Sequence, residues 1–127
     1  MDQDDDIYSG FTQNGAALAL TSVLTTISHA KLHIGPAYDG TLDPSVFSTR
    51  VAATFGPPDN NNLADLAASF TFTGLTAIED GWGVSFWTAS TAGLCRLVRR
   101  FTEMKHYFVG DNLTVVSAPI TIPSVGI

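Results

Sequence analysis

The sequence predicts a mainly β protein: an antiparallel β-sandwich or jelly roll of about eight strands, with one short helix near its N-terminus. Short runs rich in Thr, Val, Ile and Phe recur at intervals of roughly 8–12 residues, with Gly, Pro, Asn or Asp between them. This spacing is typical of antiparallel sandwiches and barrels. Strands do not alternate with helices along the chain, which disfavours a parallel α/β sheet.

The length of 127 residues predicts one domain, residues 14–127, preceded by an acidic N-terminal arm, residues 1–13. The net charge of −6 comes from 12 acidic and 6 basic residues, and four of the acids lie in the first six positions. Such a chain lacks the positive field of a nucleic-acid binder, and its 45% hydrophobic content excludes a disordered chain. Because only 14% of residues are charged, we expect part of the surface to lie against copies of the chain or a partner.

The helix is predicted over residues 15–28. Asn14-Gly15 can cap its start, and Leu20, Val23, Leu24 and Ile27 follow at the i, i+3, i+4, i+7 spacing of one apolar helical face. The opposite face carries Thr and Ser, so packing rather than intrinsic propensity is expected to stabilise the helix. A period of two begins after it and indicates the first strand.

Turn residues divide the rest of the chain into strands. In the first of them, alternation predicts that Leu32 and Ile34 face the core while Lys31 and His33 face outward. Proline on both sides of Ile120-Thr121-Ile122 predicts that the last strand pairs on one side only. The predicted strands are 30–35, 46–55, 67–73, 75–79, 83–88, 94–101, 105–109 and 113–122.

Catalytic, metal and cofactor motifs are absent from the sequence. The histidines lack metal-ligand spacing, and an Asx turn explains Asp39-Gly40 more simply than a calcium loop does. The adjacent Glu79 and Asp80 are expected to project in different directions and not to act on one bond. The single Cys95 forms no internal disulfide and is expected to be a small buried strand residue. We therefore expect no enzyme, and no catalytic, cofactor-binding or metal-binding residue.

Two groups of residues are candidate contacts with partners. Ile7, Tyr8 and Phe11 in the arm are either solvated or dock on a neighbouring subunit. The basic run of Arg96, Arg99 and Arg100, with Lys105 after it, is either a solvated strand face or a subunit contact. The acidic residues between positions 2 and 6, carried by a neighbouring chain, would be its opposite-charge partner.

Trp82 and Trp87 are the other candidates, in the densest aromatic cluster of the chain. Strand alternation places Val84 and Phe86 on one face, and Ser85 and Trp87 on the other. One face is predicted to be core. The other is predicted to be an oligomer interface, with a sugar-stacking surface as the alternative.

Four segments resemble, in the same order, a family of small tailed-bacteriophage virion proteins described as head decoration, minor capsid or tail-fibre-like proteins. The relatives share a short apolar helix, a Leu-His strand, a loop rich in Asp, Gly and Thr, a Phe-Trp-Thr-Ala turn and a late Gly-Asp-x-Leu-Thr-Val strand. The likeness covers roughly residues 15–122, whereas the acidic arm, the Asn-rich loop and the basic strand depart from it. The segments are LHIGPAYDGT (32–41), RVAATFG (50–56), VSFWTASTAG (84–93) and GDNLTVVSAPITI (110–122).

This resemblance implies a non-enzymatic structural protein that assembles as a homo-oligomer, with a trimer favoured. The leading expectation is a minor capsid or decoration protein, made in the host cytoplasm, that binds the major capsid protein on the outside of the virion. The alternatives are a minor tail or tail-fibre-associated protein and, from another class, a carbohydrate-binding module. Neither a nucleic acid nor a membrane is an expected partner.

Overall fold

The structure is a computed structural model that describes residues 10–121 of the chain. Ile7, Tyr8 and the acidic residues of the arm lie outside this range. Within it the prediction of a mainly β, antiparallel fold with one helix and eight strands is confirmed. The elements are α1 (Gln13–Leu24), β1 (His29–His33), β2 (Val51–Ala52), β3 (Leu63–Ala64), β4 (Phe70–Phe72), β5 (Glu79–Trp87), β6 (Cys95–Tyr107), β7 (Leu113–Val115) and β8 (Ile120–Thr121).

The strands form one large sheet and two strand pairs. The large sheet has the order β2-β1-β5-β6, and β3 pairs with β8 and β4 with β7. All pairings are antiparallel, and β1 meets β5 in an unbroken register from His29 opposite Trp87 to His33 opposite Gly83. Because β6 stands at the end of the large sheet, one side of this 13-residue strand has no partner strand within residues 10–121.

The core lies between the large sheet, the β4–β7 pair and α1. Its centre is a cluster of phenylalanines in which Phe70 packs edge-on against both Phe72 and Phe86, with ring centroids 5.7 and 6.0 Å apart. Edge-to-face pairs add about 0.5–1.5 kcal/mol each to the stabilisation that burial provides. The helix contributes Leu20 and Leu24, and Ile27 follows from the turn after it.

The helix is shifted towards the N-terminus relative to its prediction. It begins at Gln13 because the hydroxyl of Thr12, rather than the Asn14 side chain, accepts the backbone N–H of Gly15 at 3.0 Å. It ends at Leu24, where the hydroxyls of Thr25 and Thr26 donate to carbonyls one turn back. The predicted apolar face is nevertheless the one that packs on the core.

Several strands differ in extent from their predictions. Residues 75–78 are irregular rather than a strand, and the predicted strands 94–101 and 105–109 are joined into the single strand β6. The predicted strand 113–122 is two short strands, β7 and β8, which pair with different partners. As predicted, β8 pairs on one side only within the described chain.

Strand β6 carries two bulges against β5. Gly81 lies opposite Lys105 and Gly83 opposite Arg100, so residues 101–104 bow out of the ladder. A second irregularity lies beside Arg96, between the Phe86–Leu97 and Trp87–Cys95 pairs. The first bulge depends on Gly83, because a Cβ there would overlap the carbonyl oxygen of Arg99 and lie 2.9 Å from the Cα of Arg100.

Candidate functional site

The main candidate site is a groove of about 370 Å³ between β6 and the segment that runs from β7 towards β8. We call it the basic groove. Arg99, Arg100 and Lys105 supply its charge, and no carboxylate from the described part of the chain lines it. The apolar lining residues are Val84, Phe101, Leu113, Val115, Val116, Ala118 and Pro119.

The strand pairing keeps this groove open. Strand β7 pairs with β4 instead of adding to the edge of β6, so a gap separates β6 from the chain beyond β7. The bulge at residues 101–104 brings the side chains of Phe101 and Lys105 to the same gap. An unpaired strand edge beside an apolar floor is the arrangement that accepts an extended peptide.

The cations of the basic groove lack acidic partners in the described structure. The one ion pair within residues 10–121 joins Nδ1 of His106 to Oδ1 of Asp80 at 2.7 Å, on the exposed surface. Arg99, Arg100 and Lys105 therefore have no carboxylate oxygen within 4.0 Å in that part of the chain. This leaves the groove suited to an anionic ligand or peptide.

The predicted basic run is divided between two places. Arg96 lies away from the basic groove, at the second bulge of β6, and lines a small depression of about 130 Å³ with Tyr38 and Asp39. Arg99 and Arg100 line the basic groove. The bulges change the direction of successive side chains, so the four basic residues of β6 do not form one face.

Of the arm candidates, Phe11 lies within the described residues and Ile7 and Tyr8 lie outside them. The Phe11 side chain is 47% exposed and immediately precedes the N-cap of α1. Its position places an apolar group on the surface where the arm joins the domain.

The two tryptophans do not form a joint surface. They are five residues apart on β5, and an odd separation on a strand points side chains to opposite faces. Trp82 is half-buried, whereas Trp87 is buried, with the guanidinium of Arg50 3.8 Å from its ring centre. Arg50 is itself held by the carbonyl oxygens of Ala89 and Ala92 at 2.9 and 2.6 Å. A sugar would have to displace Arg50 to stack on this ring.

His33 forms a buried hydrogen-bond chain, contrary to its predicted outward orientation. It is fully buried, whereas Ile34, predicted to face the core, is exposed. The chain of bonds runs from Trp87 Nε1 to Ser85 Oγ (2.7 Å), from Ser85 Oγ to His33 Nε2 (2.7 Å), and from His33 Nδ1 to the Leu42 carbonyl (2.8 Å). The alternation fails because residues 34–45 cover the second face of the sheet.

The Ser85–His33 contact has the spacing of a nucleophile and its base, but its surroundings are those of a core. Both side chains are fully buried, and the Ser85 oxygen already accepts the Trp87 N–H. A nucleophile needs an approach path for the substrate and a free lone pair aimed at it. Burial also lowers the pKa of His33, which keeps the imidazole neutral and suited to this fixed network.

Glu79 and Asp80 point to different sides, as predicted. The Glu79 carboxylate accepts from the Ser45 hydroxyl at 2.7 Å and the Tyr107 hydroxyl at 3.0 Å, while Asp80 pairs with His106 on the surface. Burial first, and then the neighbouring carboxylates, raise the pKa of Tyr107 to about 12, so the phenol stays protonated and donates to Glu79. This arrangement ties the end of β6 to the loop after β1.

Two smaller predictions concern Asp39 and Cys95. Asp39 forms the expected Asx turn, in which its Oδ1 accepts the Thr41 backbone N–H at 3.0 Å. Cys95 is half-buried in β6 and is a free thiol whose pKa is raised, mainly by burial.

The described part of the chain contains no helix with the length and apolar character needed to cross a bilayer.

The apolar half of the basic groove has no counterpart among the sequence predictions. Residues 113–119 looked like one continuous strand, so their exposed and buried positions were not assigned to a cavity. The available signal is Pro119, which cannot donate a backbone hydrogen bond and so disfavours one continuous strand through residues 113–122; Val116, between the two short strands, is 75% exposed. Lys105 belonged to the predicted basic run and joins the groove through the bulge.

No family model, no curated protein and no solved structure matches this chain.

Proposed function

We propose that this chain is a structural virion protein of a tailed bacteriophage, a minor capsid or decoration protein that binds the outside of the head as a small oligomer. The basic groove is the observation that carries the binding part of this proposal. Within residues 10–121 it combines three cations that have no acidic partner, an apolar floor and a strand edge that is not paired. These are features of a surface that binds another polypeptide.

The virion part of the proposal depends on the collinear resemblance of residues 15–122 to small phage virion proteins. A small β domain with low surface charge suits dense packing among copies on a shell, because few charges must be desolvated when neighbours meet. Attachment as an oligomer would multiply weak contacts with the major capsid protein through effective concentration. The exposed Phe11 and the cations of β6 are the described residues that supply such contacts.

Antibody labelling of purified virions tests the proposal. We expect label distributed over the head of intact particles, and chain present in stoichiometric amounts in the virion protein pattern. Label confined to the tail or its tip would replace the proposed location with that of a tail-associated protein. Absence of the chain from purified virions would contradict a virion function of either kind.

A further inference from the structure

The basic groove has the polarity of a receptor for an extended peptide that is acidic and carries apolar side chains. Arg99, Arg100 and Lys105 offer charge at one wall, and the floor beneath them is formed by buried Val84, Val115 and Ala118. The free backbone edge of β6 can pair with an added strand. A volume of about 370 Å³ accommodates a few side chains rather than a folded element.

The same polypeptide contains a segment of this composition. Residues 2–8, which we call the acidic segment, carry Asp2, Asp4, Asp5 and Asp6 followed directly by Ile7 and Tyr8. Four negative charges followed by two large apolar side chains complement the three cations and the apolar floor. The remaining 8 acids and all 6 bases of the chain lie within residues 10–121, so the acidic segment holds most of the net charge of −6.

The start of α1, which follows the acidic segment in the chain, is linked to the groove lining through β3 and β8. The Gln13 side chain donates to the Asn60 carbonyl at 2.6 Å, which fixes the start of α1 beside the turn before β3. Leu63 of β3 lies opposite Thr121 of β8, two residues from Pro119 in the groove lining. Nine residues span at most about 30 Å when extended, enough to cross to an adjacent molecule.

Exposed apolar side chains also occur on β6 and at both of its ends, outside the lining of the groove. Met104 in β6, Leu94 just before it, and Phe108 and Val109 just after it are all exposed. A seven-residue segment that fills the groove leaves these four positions uncovered. A second copy that contributes its segment also brings a surface that can cover some of these positions.

We propose that the basic groove binds the acidic segment of a second copy of this chain, so that the copies are joined by exchange of their N-termini. The carboxylates of positions 4–6 pair with Arg99, Arg100 and Lys105, and Ile7 and Tyr8 lie over the apolar floor. This contact specifies the oligomer that the proposed function assumes. It is tested on the purified chain alone, so its failure and the failure of virion attachment are separate results.

Two full-length variants test the exchange. The segment variant carries Asp4→Asn, Asp5→Asn and Asp6→Asn, and the groove variant carries Arg99→Glu, Arg100→Glu and Lys105→Glu. By light scattering we expect the parent chain to have a mass at least twice 13.5 kDa and each variant alone to be a monomer. An equimolar mixture should regain dimers, because the segment variant keeps an intact groove and the groove variant keeps an intact segment.

The mixture separates exchange between copies from folding back within one chain. A segment that binds its own groove gives a monomeric parent and no gain of mass on mixing, which would overturn the proposal. Variants that retain the parent's mass would overturn it too. Arg96→Glu is the matched control, a charge reversal on the same strand outside the basic groove, and it should keep the parent's mass.

Peptide binding gives a second measurement that does not depend on the groove variant's folding. A labelled peptide of residues 1–11 should bind the segment variant, as measured by fluorescence anisotropy, and raising the salt from 50 to 300 mM should weaken binding about tenfold. The same peptide with Asn at positions 2, 4, 5 and 6 should bind at least tenfold more weakly. Equal binding of the two peptides, or displacement by a peptide of residues 119–127 but not by unlabelled 1–11, would overturn the assignment.

Discussion

In the buried series of hydrogen bonds from Trp87 to Leu42, the donor and the acceptor of every bond are fixed. The indole N–H can only donate and the Leu42 carbonyl can only accept, so Ser85 accepts from Trp87 and donates to Nε2 of His33, and Nδ1 carries the imidazole proton. The neutral imidazole thus satisfies every polar atom of the network. A second proton would compete with the Ser85 hydroxyl for the same contact.

This network predicts that acid weakens the fold. The pKa of His33 lies below its ordinary 6.5, mainly through burial and also through Lys31, while the Leu42 carbonyl and Asp43 oppose the shift. The unfolded chain therefore binds this proton at a higher pH than the native chain, so the free energy of unfolding falls as pH drops below about 6.5. Urea midpoints measured between pH 7.5 and 5.5 should fall accordingly.

A substitution assigns this pH dependence to one residue. His33→Asn should lower stability at pH 7.5, because it breaks the buried hydrogen-bond chain, and should flatten the fall between pH 7.5 and 5.5. His29→Asn removes an imidazole from the same strand outside the network. Equal flattening by His29→Asn would contradict the assignment to His33.

For single residues, the sequence predicted the hydrogen bonding and direction of polar side chains at turns better than it predicted which side chains are buried. The Asx turn at Asp39 and the divergence of Glu79 from Asp80 follow from local geometry, and both were predicted correctly. The predicted orientations of His33 and Ile34 are wrong, because strict alternation assumes that one face of β1 is exposed to solvent. Residues 34–45 fold over that face, and no local pattern in β1 signals a cover that comes from a loop.

At the scale of elements, the contact between β5 and β6 is the one that shapes the site. Gly83→Ala would drive a methyl group into the Arg99 carbonyl, where backbone rather than a flexible side chain must move. We expect a loss of about 1–3 kcal/mol in the free energy of unfolding, the range found for overpacked sites. Chemical denaturation measures it.

Gly56→Ala is the matched control for that change. The nearest atom to a Cβ at this position is the Asp65 carbonyl oxygen at 3.7 Å, an ordinary contact. The variant should be as stable as the parent to within about 0.5 kcal/mol. If both alanines cost the same, the close approach at the bulge is not the cause of the loss at position 83.

The positions of several strands could be predicted from the sequence, but the pairing between strands could not. The sequence located β1, β4 and β5 from alternation and turn residues, and located the helix from its apolar face. It divided β6 into the strands 94–101 and 105–109, whereas in the structure residues 101–104 form a bulge in one continuous strand. Pairing depends on residues far away in sequence, such as Leu63 and Thr121, and no local signal encodes that choice.

Across the whole molecule, the acidic and basic residues are concentrated in different segments of the chain. Four of the six bases lie on β6, and four of the twelve acids lie before the first described residue. The order of charged residues in the sequence predicted this separation, and the basic run stays a predicted partner contact. The groove itself was not predictable, because its two walls come from residues near 100 and near 116 that meet only through tertiary packing.

If copies are joined through the acidic segment, thermal stability depends on protein concentration. A hundredfold increase in concentration should raise the Tm of the parent chain by about 5 °C, since association stabilises the native state by mass action. The variant with Asn at positions 4–6 should show the same Tm at both concentrations. A parent Tm that is independent of concentration would contradict association.

Between Val115 and Ala118, the residues that line the groove rim are different from the residues that stabilise the core. Val115 and Ala118 are buried in the core, while Val116 and Ser117 between them are exposed and line the basic groove. Substitutions at these two middle positions alter the rim of the groove without removing core contacts. The protein can therefore evolve a preference for new partners at positions 116 and 117 while its fold stays unchanged.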